Sequence, residues 1–283
     1  MDVENILKEL GLSSVTKVQQ IHGGQDSSVW KVETANFAYA LRVLPGDHYE
    51  QFVREQKVIQ LAQNNGIPVP NVVSVFKGES YCAMLMEWAK GHTVFEELQR
   101  SPDNASQIGK EFGRMQALIH AISVDNNFED NNENFLTPVT DLEKSAMNLI
   151  EKYYTLYSPT LLHLDYHPLN ILTDGEKITA VIDWANASAG DYRFDFARTF
   201  SILRLEGTKY FDKKTFEEFE SGWLIGYFSF IGMIPADPIE LFNVWAGDRM
   251  LRDLSGKLSK TDLDKLSNWT LNWVYNFVNN YKN

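Results

Sequence analysis

Four polar residues crowd one stretch, residues 161–197: His163, Asp165, Asn170 and Asp183. Residues 161–164 are an apolar run that stops at Asp165, and 166–170 read as a loop containing Pro168. Residues 171–173 and 177–182 then read as two short strands. Asp174-Gly175 between them is a tight-hairpin signal, because Gly takes φ > 0 at no steric cost. Such a hairpin would bring Asn170, just before the first strand, beside Asp183, just after the second. An amide oxygen next to a carboxylate is a hard-ligand pair suited to Mg²⁺, which takes oxygen and keeps several waters. Asp165, upstream on the same loop, would be free to accept a proton. Asx residues favour turns singly. The ordered set HxDxxxxN, hairpin, D is much harder to reach by chance.

That order parallels a catalytic-loop Asp, a metal-binding Asn and a second metal-binding Asp, the signature set of kinases. The segment resembles the aminoglycoside phosphotransferase and choline-kinase-like family, a branch of the protein-kinase-like fold. The family pattern reads HGDxHxxNIL followed by IDWE or IDF; this chain reads HLDYHPLNIL and VIDW. Leu164 stands where the family usually has Gly, and Trp184 where protein kinases carry Phe-Gly. The continuation GDYRFDFAR, residues 190–198, is similar to the family's GDPxxDLA. The resemblance implies that Asp195 braces the catalytic loop through its backbone N–H groups.

The elements that must position these groups come earlier in the chain. Residues 6–10 read as a short helix ending at Gly11, and 15–21 and 29–34 as strands. Between the strands lies HGGQDSS, whose Gly23, Gly24, Ser27 and Ser28 could turn backbone N–H groups toward phosphate oxygens. Taken alone it reads sooner as a plain hairpin turn; it is similar to the family's short flap, and its place ahead of the next two features is what favours the phosphate reading. Residues 37–43 form a third strand ending at Arg42, which resembles the strand lysine of kinases. Arg supplies a fixed charge through a planar fork. Residues 48–64 follow as a helix, with Phe52, Val58, Ile59 and Ala62 on one side at helical spacing. Glu55 falls in the middle of that stripe, and a carboxylate on a buried face is costly unless paired. Arg42 is its natural partner, in the manner of the kinase Lys–Glu pair that positions ATP phosphates.

Residues 72–76 and 81–86 are further strands. MEWAKG, residues 86–91, is the candidate connector. By the resemblance Met86 lines an adenine pocket, with the Glu87 carbonyl and the Ala89 N–H bonding the adenine edge. Beyond it the pattern is helical: 93–99, 106–122, 141–157, 193–206, 215–231, 238–254 and 261–280. His120 reads as an ordinary helix residue. Trp223, Trp245, Trp269 and Trp273 read as core. Residues 125–134, rich in Asn, Asp and Glu, read as an exposed loop.

Composition sets outer bounds. The chain has 283 residues, enough for one large domain or two modest lobes. Hydrophobic residues make up 44%, and no apolar run approaches the length of a membrane span. The N-terminus lacks the basic start and apolar centre of a signal peptide, so a cytoplasmic location is expected. One cysteine, Cys82, rules out an internal disulfide framework. The net charge of −12 argues against nucleic-acid binding and would suit a cationic partner.

The reading is therefore an α+β, two-lobed protein-kinase-like fold, with a small antiparallel-sheet lobe, 1–88, and a larger helical lobe, 89–283. The resemblance implies an ATP- and Mg²⁺-dependent phosphotransferase. Asp165 would be its base, Asn170 and Asp183 its metal ligands, and Arg42 its phosphate contact. Asp183 runs within twelve residues into Asp195, which leaves no room for a protein-kinase activation segment. A small hydroxylated molecule is the expected acceptor, an aminoglycoside or similar antibiotic. A choline, homoserine or sugar kinase, or a silent nucleotide-binding protein, stands as the alternative.

Overall fold

The computed structural model describes residues 3–21, 28–124, 135–231 and 239–281. In chain order the first elements are α1 (Val3–Glu9), β1 (Val15–Ile21), β2 (Ser28–Thr34) and β3 (Ala38–Pro45). Next come α2 (Tyr49–Asn64), β4 (Val72–Lys77), β5 (Tyr81–Glu87) and β6 (His92–Thr93). Two helices follow, α3 (Val94–Arg100) and α4 (Ala105–His120), then α5 (Asp141–Tyr153). Four short strands are β7 (Thr160–Leu162), β8 (Ile171–Thr173), β9 (Ile178–Val181) and β10 (Ser188–Gly190). The chain closes with α6 (Tyr192–Ile202), a π turn at Leu203–Gly207, and a single helical turn, α7 (Thr208–Tyr210). The last three helices are α8 (Lys213–Ile231), α9 (Ile239–Leu254) and α10 (Lys260–Tyr281).

Two compact units emerge. The first is Met1–Gly91 together with Thr179–Ala185; the second is His92–Ile178 with Asn186–Asn283. The division drawn from sequence at residue 88 did not include the return of 179–185 to the first unit. That return has a physical anchor: the Val181 N–H donates to the Pro68 carbonyl at 2.8 Å, and the Thr179 hydroxyl to the Lys90 carbonyl at 2.7 Å.

The first unit is a five-stranded sheet in the order β1-β2-β3-β5-β4, every neighbouring pair antiparallel. Alternation sends Leu41 and Val43 of β3 to one face, where they join Trp30, Val32, Ala83 and Leu85 beneath Ile6 and Leu7 of α1. Arg42, one residue out of phase, turns to the other face, the side of α2. There Phe52, Val58, Ile59 and Ala62 are buried, as the helical stripe predicted, and so is Glu55.

The second unit is mainly helical. One core cluster gathers Leu162, Leu164, Phe194, Phe242 and Trp245, with Phe194 edge-on to Phe242 and Trp245 at 4.7 and 4.9 Å. Trp223 and Trp245 are fully buried, and Trp269 and Trp273 are partly so. Helix α4 crosses α8 very closely. A Cβ added at Gly113 would stand 2.0 Å from the Trp223 carbonyl oxygen, and one at Gly226 2.0 Å from that of Lys110.

Two helices differ from the sequence reading. Helix α5 stops at Tyr153 rather than 157, because Tyr154 is extended and the following residues bond elsewhere. The Tyr157 N–H donates to Asp191 at 2.9 Å, and the Thr155 carbonyl accepts from Arg193 at 2.9 Å. The helix expected to run to 206 gives way after Ile202 to the π turn, where side-chain periodicity gives no warning. The turn after β8 is also longer than a two-residue hairpin. It runs from Asp174 to Lys177, with the Asp174 carboxylate accepting from the Glu176 and Lys177 N–H groups at 3.1 and 3.0 Å. Gly175 there has φ +98°, as the tight-turn signal requires.

Candidate active site

Three of the singled-out residues meet in the first unit. Arg42 donates a hydrogen bond from Nη1 to the Glu55 carboxylate, and its Nη2 lies 3.5 Å from Asp183. Glu55 is 1% exposed and Arg42 11%, so this ion pair is largely dry. Burial works to lower the Arg42 pKa, but Glu55 and Asp183 outweigh it and hold it above the ordinary value. The same burial pushes the Glu55 carboxyl up, against the pull of Arg42. The Arg42 guanidinium also sits 5.5 Å from the Phe52 ring centre. Asp183 is nearly half exposed, at 46%, and takes the left-handed backbone, φ +62°. Asp tolerates that region better than most residues, and strain of this kind clusters at working sites. The Trp184 that follows is fully buried, its indole N–H on the Val181 carbonyl at 3.1 Å.

The connector residues continue the sheet. Met86 is buried and pairs with Ala40 and Val72. The Glu87 N–H donates to the Asn71 carbonyl at 2.9 Å. The Trp88 N–H to the Ala38 carbonyl, also 2.9 Å, is the last rung before Ala89. Ser28 opens β2 opposite Val43. Gly23, Gly24 and Ser27 lie outside the described residues.

The second unit holds Asp165 and Asn170. The Asn170 amide N–H donates to the Asp165 backbone carbonyl and to its carboxylate, each at 3.0 Å. His167 joins them, its Nε2 at 3.5 Å from the Asp165 carboxylate and 3.2 Å from the Asn170 amide nitrogen. Burial would raise the Asp165 pKa, but the His167 hydrogen bond and the charges of His167, Arg198 and His163 hold it below the usual carboxylate range. A quarter of the Asp165 side chain stays exposed. These Asn170 side-chain bonds all run through its nitrogen, which leaves the amide oxygen for another ligand. Taken one at a time, the Asn170 amide oxygen in the second unit and the half-exposed Asp183 carboxylate in the first are each oxygen ligands of the hard kind that Mg²⁺ takes.

The loop carrying Asp165 is pinned from α6. Asp195 is fully buried and accepts from the His163 and Leu164 backbone N–H groups, both at 2.9 Å. This is the brace the sequence motif implied. Asp195, Arg198 and Thr199 share one face of α6 at i, i+3 and i+4. Arg198 Nε donates to the Leu164 carbonyl at 2.6 Å, and the Thr199 hydroxyl to the Tyr166 carbonyl at 3.0 Å. Leu164, where the family pattern has Gly, is fully buried with φ +61°. That left-handed backbone explains the usual Gly; here a Leu bears the strain and fills core space.

Sequence reasoning gave no role to His120, His167 or Arg198. His120 is buried between Asp195, 2.9 Å from its Nε2, and the Tyr227 hydroxyl, 2.7 Å from its Nδ1. Burial alone would raise the Asp195 carboxyl, but the hydrogen bond and charge of His120, with His163, hold it below its ordinary value. The available signal was a polar side chain on the apolar face of α4, which must find a partner.

The model of the phosphotransferase enzyme family matches residues 17–230, most of the chain. The chain belongs to that family. Within it, a hygromycin-B 4-O-kinase from Escherichia coli is 36% identical over 78 residues, which cover 26% of this chain and 23% of that enzyme. The matched segment is thus about a quarter of the relative's length. Among solved structures, a thermostable mutant of aminoglycoside phosphotransferase APH(4)-Ia, in ternary complex with AMP-PNP and hygromycin B, superposes with a TM-score of 0.69. It is 17% identical, and the match covers 96% of this chain and 97% of that one. An aminoglycoside-3′-phosphotransferase of type VIII gives 0.63 at 15% identity, over 87% and 98% of the two chains. The protein-kinase-like fold with an antiparallel sheet and a helical portion is therefore that of the aminoglycoside phosphotransferases. Among the described residues, no helix is long and apolar enough to cross a membrane.

Proposed function

We propose that this chain transfers the γ-phosphoryl group of ATP to a hydroxyl of a small aminoglycoside-like molecule. The observation that carries the proposal is the Asp165 loop. Its carboxylate is oriented by Asn170 and His167, partly open to solvent and ionised at neutral pH. Phosphoryl transfer asks mainly for positioning and charge neutralisation. Asp165 would orient the acceptor hydroxyl. As the acceptor oxygen bonds to the γ-phosphorus and the bond to the ADP oxygen breaks, the hydroxyl proton passes to Asp165 and then to solvent. Arg42, held by Glu55, would set a fixed charge against the phosphates. The Gly23-Gly24 turn with Ser27 and Ser28 would cover them, and Met86, Glu87 and Ala89 would receive the adenine. Asn170 and Asp183 would hold Mg²⁺, which when bound neutralises phosphate charge.

Hygromycin B is the first acceptor to test, because the curated relative and the ternary complex both carry its name. ADP release with Mg-ATP should be measured across hygromycin B, other aminoglycosides, choline, homoserine and simple sugars. An aminoglycoside should be favoured; a preference for choline or a sugar would move the chain to the metabolic kinases. Asp165→Asn keeps the shape but accepts no proton, so kcat should fall about 10²-fold or more while nucleotide binding survives. Asp183→Ala should lose both binding of Mg-ATP and turnover. Wild-type turnover by Asp165→Asn, or undiminished Mg-ATP binding by Asp183→Ala, would remove the corresponding role.

A further inference from the structure

We propose that Arg198 is a positioning residue for phosphoryl transfer, holding the backbone from which Asp165 projects. The residue just before the base, Leu164, is in the left-handed region at φ +61°, a conformation a Leu does not keep without support. Its two backbone polar groups are held from opposite ends by charged side chains of α6. The N–H donates to Asp195 at 2.9 Å, and the carbonyl accepts from Arg198 Nε at 2.6 Å. Asp195 alone could not fix the peptide plane between Leu164 and Asp165, because that plane contains the carbonyl that Arg198 grips.

Arg198 is itself held on three sides. Its Nη2 lies 3.3 Å from the Asp253 carboxylate of α9. Its guanidinium stands 4.8 Å from the ring centre of Phe135, on which Arg249 also sits at 3.8 Å. Arg249 in turn bonds Asp253 and, at 2.7 Å, the Phe135 carbonyl. The planar fork of Arg198 thus ties the catalytic loop to α9 in one rigid step. A lysine, ending in a single point, could not span both partners in the same way.

A purely structural role accounts poorly for this residue. Arg198 is 6% exposed, and its Nη1 has no hydrogen-bond partner among the described residues. A buried cation with an unused donor is costly, and an apolar side chain of similar length often serves stability as well or better. What an apolar side chain could not do is hold the Leu164 carbonyl.

The test has a kinetic arm, which rests on the proposed phosphotransfer, and a structural arm, which does not. Purified wild type, Arg198→Met and Arg198→Lys are compared for turnover of Mg-ATP, with hygromycin B and with water as acceptors. Arg198→Met should lower kcat by about tenfold to a hundredfold, the scale of a base displaced by an ångström, with KM for Mg-ATP within about twofold. Arg198→Lys should fall between. Hydrogen exchange of the backbone over residues 163–170 should quicken about tenfold in Arg198→Met, with the core of the five-stranded sheet unchanged. Wild-type kcat in Arg198→Met, or wild-type exchange over 163–170, would overturn the proposal. Should Arg198→Met not fold, Arg198→Lys decides it on the same two readouts: intermediate values support it, and wild-type values overturn it. If the wild-type protein transfers phosphate to no acceptor, the functional reading falls, and the exchange arm still judges the positioning role.

Discussion

Arg42 stands between two carboxylates, Glu55 and Asp183, and only the first is buried. That asymmetry separates stability from nucleotide binding. Arg42→Ala leaves the buried Glu55 carboxyl without its cation, which should cost about 3 kcal/mol, the scale for breaking a buried pair. If Arg42 meets the phosphates as proposed, the substitution should also weaken Mg-ATP binding, because that charge is gone. The double variant Arg42→Ala/Glu55→Ala should recover part of the stability and none of the affinity. Urea unfolding of the four proteins in the cycle measures the first effect, and Mg-ATP titration the second. Strictly additive stability losses would mean the pair contributes nothing as a pair. This contact was legible in the sequence, since a carboxylate centred on an apolar helical stripe demands a cation and Arg42 lies on the preceding strand. Leu164 was legible only as a departure from a motif. Its left-handed backbone, and the two α6 side chains that enforce it, depend on contacts made 31 and 34 residues away.

At the scale of elements, hydrophobic periodicity located most helices and strands, and it failed where tertiary bonds overrode it. Residues 154–157 have the composition of a helix end, yet Asp191 and Arg193 bond the Tyr157 N–H and the Thr155 carbonyl, and the helix stops at Tyr153. Periodicity also said nothing about how closely helices approach. GKEFG in α4 and GWLIG in α8 face one another, and an added Cβ would meet opposing backbone at 2.3 Å from Gly109 and Gly222 and at 2.0 Å from Gly113 and Gly226. The small-residue spacing lets the two helices touch and brings His120 within reach of Tyr227, which sets the support under Asp195. Gly113→Ala must push the helices apart, at a cost of about 2 kcal/mol or more for an overpacked contact. Gly256→Ala, with no neighbour within 4 Å, serves as its control and should stay within about 0.5 kcal/mol of wild type. Thermal unfolding compares the two. Equal midpoints would show that α4 and α8 have slack the close crossing does not suggest.

At the scale of the whole chain, the first unit is discontinuous. It needs residues 179–185, delivered after nearly ninety residues of the second unit have intervened. Those seven residues bring Ala180, Val181 and Trp184, all buried, and two backbone anchors. One is the Val181 N–H on the Pro68 carbonyl; the other is the Ala185 carbonyl, which accepts from Arg54 at 3.1 Å. They also bring Asp183 to Arg42. The sequence reading saw a boundary at the connector and missed this return, because a segment crossing back between units leaves no compositional mark of its own. A fragment of residues 1–91 therefore lacks part of its own core. Loss of a buried Trp alone costs about 3 kcal/mol or more, a large share of the total stability of a small domain. The fragment should show a shallow, poorly cooperative urea transition by circular dichroism. The same fragment carrying residues 179–185 on a flexible linker should unfold at a higher midpoint. In that linked form Trp184→Ala should return the midpoint most of the way to the bare fragment, because the indole is the largest side chain the segment buries. Coincident transitions for the bare and linked fragments would mean that residues 1–91 complete their core alone, and that 179–185 serves the site without supporting the fold.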